Sequence, residues 1–220
     1  MADIFNEVDE ALKQEKMQKL WAEYGSTVIL AAVLLVLSTA AATGYKSWDA
    51  RRDGQETARL IDALEGETPI ADLEKISRDT RSGHKAVALL TAAGLHTEKG
   101  EFSQAAALYK QIFETGKGPD DLLDLSRILY VRALLSSQEK TDALLLLDTL
   151  SPVLSDENSP WVWQARLDAA LIEMHLQQNA AAALKYLALF ERAKDVPASL
   201  AEKAQALRQL YESRKERTKE

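Results

Sequence analysis

Cysteine is absent from the chain, which excludes disulfides, thiol catalysis and cysteine-ligated metal together. Proline and glycine are scarce, at five and nine of 220 residues, so few positions interrupt regular structure. Histidine is scarcer: His84, His96 and His175 are the only three, and no two stand four residues apart as a metal pair on a helix would. Positive charge is also short, with 27 Lys and Arg against 34 Asp and Glu, leaving a net charge of −7. A nucleic-acid backbone requires the opposite balance. From Trp48 onward no stretch alternates apolar and polar residues as a half-buried strand does. The composition that remains is rich in Ala, Leu, Gln, Glu and Lys, all strong helix formers. An all-α protein is therefore expected.

One window lacks charge altogether. Residues 25–45 read GSTVILAAVLLVLSTAAATGY, and as a helix they would span about 31 Å, the thickness of a bilayer's hydrocarbon core. Val28, Ile29, Leu30 and the run Val33 to Leu37 favour insertion by roughly 2.5–5 kcal/mol, partly offset by the Ser, Thr and Gly residues around them. Trp21 and Tyr24 precede the window, and Tyr45 and Trp48 follow it, as headgroup-belt aromatics would. A transmembrane helix over 25–45 is expected. A cleaved signal peptide is the rival reading, with its apolar core at Val28 to Leu37 and its cleavage site within 38–42. Against it, the 24 residues before the window are net negative, where a signal peptide begins short and basic. The tail, 1–24, carries Ile4, Val8 and Leu12 at helical spacing and is expected to be an amphipathic helix on the membrane or against a protein. Three tail lysines oppose Lys46, Arg51, Arg52 and Arg59, so the charge count is indecisive or leans slightly toward a cytoplasmic C-terminal domain.

Beyond the window the pattern repeats. Three blocks begin at Ala88, Leu125 and Arg166, each an apolar helix, a polar break and a second helix. Aligning the breaks equates Ala105, Ala143 and Ala183, then Tyr109, Leu147 and Leu187, then Ile112, Leu150 and Phe190. A small residue lets the second helix approach the first, and larger ones a turn or two on fill the space between pairs. No pair buries its apolar face alone, so the pairs are expected to stack as a solenoid. The expected domains are an irregular first pair at 46–82, three pairs at 83–198 and a capping helix at 199–220. Thr68 is expected to cap, and Pro69 to open, a helix in the first of these.

The run Gly100-Glu101-Phe102-Ser103-Gln104-Ala105, followed by Tyr109, resembles the central turn of a tetratricopeptide repeat, with Gln138 and Gln178 where that family usually has glycine. Tail, anchor and helical repeats in this order resemble a bacterial family of ancillary Sec translocon subunits, of the alphaproteobacterial type. The resemblance implies a single-pass inner-membrane protein with a cytoplasmic N-terminus and a periplasmic repeat domain. It further implies contact with the translocon and a membrane-anchored periplasmic chaperone. A repeat adaptor for division, peptidoglycan synthesis or membrane-complex assembly makes the same demands on the sequence.

Catalytic groupings are not evident. Asp120-Asp121 after Pro119 reads as helix N-terminal acid, and Gly116-Lys117-Gly118-Pro119 lacks the spacing of a phosphate loop. No enzymatic activity, cofactor, metal or small-molecule substrate is expected. Ser159-Pro160 is expected to open a helix in which Trp163, Leu167, Ala170, Leu171 and Met174 form a core stripe. Trp161 falls off that stripe and is the candidate partner-binding residue, with packing against 152–154 as the alternative.

Overall fold

The computed structural model describes residues 37–137, 141–193 and 195–217. The tail at 1–24 and residues 25–36 of the expected membrane segment lie outside these. Among the described residues there is no strand, and no helix is long and apolar enough to cross a membrane. Residues 37–65 are helical throughout (α1). The chain divides into two compact units, 1–55 and 56–220. In the first, side chains 37–48 are exposed, including Leu37, Tyr45 and Trp48.

The second unit continues with α2 (Pro69–Ile76), α3 (Ser82–Glu98), α4 (Phe102–Glu114), α5 (Asp120–Ser136), α6 (Ala143–Ser155), α7 (Val162–His175), α8 (Ala180–Arg192) and α9 (Ala198–Arg217). Connections from α2 onward run three to six residues, and each helix touches only its next or next-but-one neighbour. Such local contact is what stacked helix pairs produce. Punctuation follows from the few breaking residues. Pro69 stands at the first position of α2, its missing N–H costing nothing there. Thr68 precedes it as expected, but its hydroxyl donates to the Asp72 carboxylate (3.0 Å) and caps no backbone N–H. Pro119 and Pro197 stand just before α5 and α9, and their carbonyls accept from the third and fourth N–H groups of those helices. Asp120 and Asp121 fill the first turn of α5, where acid offsets the helix dipole. The Asp142 and Asn179 side chains accept from Leu144 N and Ala182 N and cap α6 and α8.

The core forms three clusters in chain order. Leu60, Ala63, Leu73, Ala88 and Ala92 join the end of α1 to α2 and α3. The largest cluster joins α3 to α7 and includes Leu89, Tyr109, Ile112, Ile128, Leu146, Leu150 and Ile172. Leu167, Ala170, Ala183, Leu187, Phe190, Ala204 and Tyr211 hold α7, α8 and α9 together. Two helices place buried residues in two clusters each. In α3, Ala86, Leu89 and Ala93 face one cluster while Ala88 and Ala92 face another. In α7, Ala165, Ala169 and Ile172 face one side and Leu167 and Ala170 the other. A helix buried on two sides must be apolar nearly all round, with small residues to admit close neighbours.

Two expectations are corrected in detail. The second helices α4, α6 and α8 have 13 residues each. In α4 the fourth, eighth and eleventh residues are Ala105, Tyr109 and Ile112; in α8 they are Ala183, Leu187 and Phe190, all buried. In α6 the same places hold Leu146, Leu150 and Val153, also buried, so the alignment on Ala143 is out of register by three residues. Ala143 opens α6 and is half-buried. Leucine takes the small-residue position in α6, and α5 and α6 make the sparsest contact of the successive helices from α2 onward. The second correction concerns Ser159-Pro160, which forms a turn, with α7 beginning at Val162. The buried Ser159 hydroxyl donates to Asp124 Oδ2 (2.6 Å) and accepts from Trp161 N (3.3 Å), so it fixes the turn ahead of the helix.

Candidate functional site

The break between α5 and α6 and the end of α7 together form an open groove of 710 Å³, lined by Leu134, Leu135, Thr141, Ala143, Leu144 and Leu176, with Ser137, Asp142 and Gln177 at its polar edge. Three of its leucines are exposed, Leu135 at 39%, Leu144 at 66% and Leu176 at 42%, while Leu134 packs against the core. The adjacent Leu145 is exposed as well. These exposures follow from register. From the run Ala143-Leu144-Leu145-Leu146-Leu147 the core takes Leu146, followed by Leu150 and Val153 further along α6, which leaves Leu144 and Leu145 exposed. Leu176 lies one residue past α7, where its backbone N–H still bonds the Ile172 carbonyl (2.9 Å). Contiguous exposed leucine of this kind marks a contact surface more often than chance exposure. Among the described residues that line the groove Asp142 alone is charged, and its carboxylate is engaged in capping α6. The described lining therefore offers mainly apolar area.

Trp161, the candidate partner anchor, does not line this groove. It is half-buried against the largest core cluster, and its Nε1 is buried without a hydrogen-bond partner. Part of the ring is therefore taken up by packing, as the alternative reading expected, and part of it stays exposed. The expected stripe on α7 is otherwise met at Leu167 and Ala170 within the cluster, with Trp163 and Met174 packed on it, while Leu171 is half-buried. Trp163 stacks on Phe190 (5.1 Å, tilted) and carries the Arg166 guanidinium over its face (4.4 Å).

Several titratable groups come together in pairs and triplets between helices. Buried Glu56 meets Arg81 Nε (3.2 Å) and His84 Nδ1 (3.2 Å), joining α1 to the start of α3. His96 Nδ1 lies 2.6 Å from Glu101 across the α3–α4 turn, and its Nε2 lies 3.8 Å from Glu74 on α2. His175 Nε2 lies 3.4 Å from the phenol of Tyr211 on α9. Asp168 on α7 is buried and accepts from Arg132 on α5 (3.0 and 3.2 Å) and from Gln164 (3.3 Å). Burial pushes its carboxyl above the ordinary carboxylate value, and the Arg132 and Gln164 hydrogen bonds draw it part of the way back. Among the described residues no three His, Asp or Glu side chains converge as a metal site.

Residues 18–156 match the family described as tetratricopeptide repeat-like domain. The match ends one residue beyond α6 and leaves α7, α8 and α9 outside it. No curated protein and no solved structure matches the chain. The matched segment takes in more than half of the 220 residues, and the chain belongs to the tetratricopeptide repeat-like domain family.

Proposed function

We propose that this protein is a non-enzymatic scaffold, anchored in a bacterial inner membrane by residues 25–45, whose helical repeats bind proteins beside the bilayer. The observation that carries the binding role is the uncovered leucine groove on a tetratricopeptide-like repeat. Such grooves bind by apolar area and shape, and hot-spot energy collects where a partner's side chains fill them. Support for the anchor comes from the sequence: 21 residues without charge, rimmed by aromatics. The order of tail, apolar stretch and repeats supports the finer reading, an ancillary subunit of the Sec translocon that joins it to a membrane-anchored periplasmic chaperone. In that reading the N-terminus is cytoplasmic and the repeats are periplasmic.

Affinity capture from detergent-solubilised membranes tests the assignment. Intact protein is expected to retain translocon subunits or the chaperone, and a Leu144→Glu, Leu176→Glu variant to lose them while keeping its helical spectrum. Recovery of division or peptidoglycan-synthesis proteins instead would replace the translocon assignment and leave the scaffold role standing. Protease treatment of spheroplasts tests the orientation. Cleavage within 56–220 from outside the cell is expected, and complete protection would reverse it.

A further inference from the structure

The leucine groove is bordered by three helix ends, all within the second unit. Leu134, Leu135 and Ser137 belong to the end of α5, Asp142, Ala143 and Leu144 to the start of α6, and Leu176 and Gln177 follow α7 directly. A helix C-terminus carries about half a negative elementary charge, and an N-terminus the positive counterpart. At α6 the positive end is already met by the Asp142 carboxylate, which accepts from Leu144 N (3.0 Å). The two negative ends are less well met. The last turn of α5 contains no basic residue, and Arg132, one turn further back, holds the buried Asp168 carboxylate (3.0 Å). His175, in the last turn of α7, lies 3.4 Å from the Tyr211 phenol on α9. Between α5 and α6, Gln138, Glu139 and Lys140 bring one acid and one base and no net charge. An apolar floor is thus joined to a negative rim.

We infer that the occupant of this groove is a leucine-bearing amphipathic helix of a partner protein, with lysine or arginine flanking its apolar stripe. The inference rests on the scaffold reading above and adds to it the chemistry of the partner. Other common ways of holding a peptide lack their means here. Strand addition needs a sheet edge, and the described residues contain no strand. A polyproline segment docks on aromatic walls, and the described lining holds no aromatic ring. Phosphorylated or acidic motifs need clustered arginine, whereas the described lining has Asp142 as its charged residue. A helix needs what is present: Leu135, Leu144 and Leu176 are separated apolar contacts for side chains at i, i+3 or i+4, and i+7. Basic residues beside that stripe meet the ends of α5 and α7 and the Asp142 carboxylate, an attraction that salt weakens. An acidic helix of the same shape is repelled.

Three synthetic peptides of about five helical turns test it against the full chain in phosphatidylcholine nanodiscs. One sets leucine at i, i+3, i+4 and i+7 with lysine elsewhere, the second replaces lysine with glutamate, and the third scrambles the lysine peptide to remove the stripe. Each carries a diazirine on a central leucine, and mass spectrometry maps the adducts. The lysine peptide is expected to label the groove, at 134–144 and 176–177, roughly tenfold more than the glutamate peptide at low ionic strength and more than the scrambled one. Added salt is expected to shrink the difference. Asp142→Asn keeps an equally good cap and is expected to lower the lysine preference by roughly threefold. Leu144→Ser, Leu176→Ser changes two exposed side chains and is expected to abolish groove labelling with the helical spectrum kept. Equal labelling by the lysine and glutamate peptides, or by the scrambled one, overturns the inference, as does labelling of the groove by none. Membrane capture then separates the two failures. If Leu144→Ser, Leu176→Ser still loses its captured proteins, the groove holds a partner of other chemistry, and if it keeps them the scaffold reading of this groove fails too.

Discussion

Gln178 stands two residues before α8, as Gly100 stands two residues before α4, and both adopt the left-handed backbone, at φ 54° and 76°. The turn thus keeps its geometry in the third pair although glycine has been lost, and glutamine carries a Cβ penalty of about 1–2 kcal/mol there. Gln178→Gly is expected to raise the thermal midpoint, and Gly100→Ala, which meets no atom within 4 Å, to lower it through backbone strain alone. Equal midpoints for Gln178→Gly and the parent would refute that reading. Asp168 is a second residue held at a cost. Its carboxyl titrates above the ordinary value of 3.8 in the folded state, so the folded chain holds its proton to higher pH than the unfolded chain does. Stability is therefore expected to fall as pH rises from 3.8 through the raised folded value. Asp168→Asn should flatten that part of the pH profile measured by chemical denaturation, and a profile unchanged by the substitution would contradict it. Tyr186 and Tyr211 behave alike at the other end: burial raises both phenols above 10.0, so stability is expected to fall as pH rises above 10. Tyr211→Phe should lessen that alkaline loss.

At the scale of helices, the second member of each pair buries its fourth, eighth and eleventh residues, whatever their size. Leu146→Ala is accordingly expected to cost roughly 2–5 kcal/mol, and Leu144→Ala no more than about 0.5 kcal/mol, in urea unfolding. Comparable losses at the two positions would return the register to the alignment on Ala143. The existence of helices and their pairing could be read from periodicity and from Pro69, Pro119 and Pro197, because these cues are local. The register of α6 could not. Its sequence offers four consecutive leucines, any of which satisfies a helical stripe, and packing against α5 and α7 selects Leu146. The two-sided burial of α3 and α7 was hidden for a related reason: alanines such as Ala88, Ala92, Ala165 and Ala169 carry little hydrophobic signal but mark close approach. Trp161 falls off the apolar stripe of its own helix, and the neighbouring cluster supplies a surface that covers part of it.

For the whole molecule, the proposed function lies in what the stack leaves uncovered. The groove was not legible in the chain, because Leu135, Leu144 and Leu176 come from three separate elements and meet only after the repeats pack. A scaffold needs such a surface, and an anchor needs the uncharged stretch that precedes the repeats; the account joins the two. Site-specific photocrosslinking in living cells tests that union most directly. A photoreactive residue at Leu144 is compared with one at exposed Gln111 on α4, followed by isolation of membranes. The account predicts a discrete protein adduct from position 144 alone, found in the membrane fraction and lost when Leu176 is changed to Glu. Equal labelling from both positions, or an adduct found only in the soluble fraction, would contradict it.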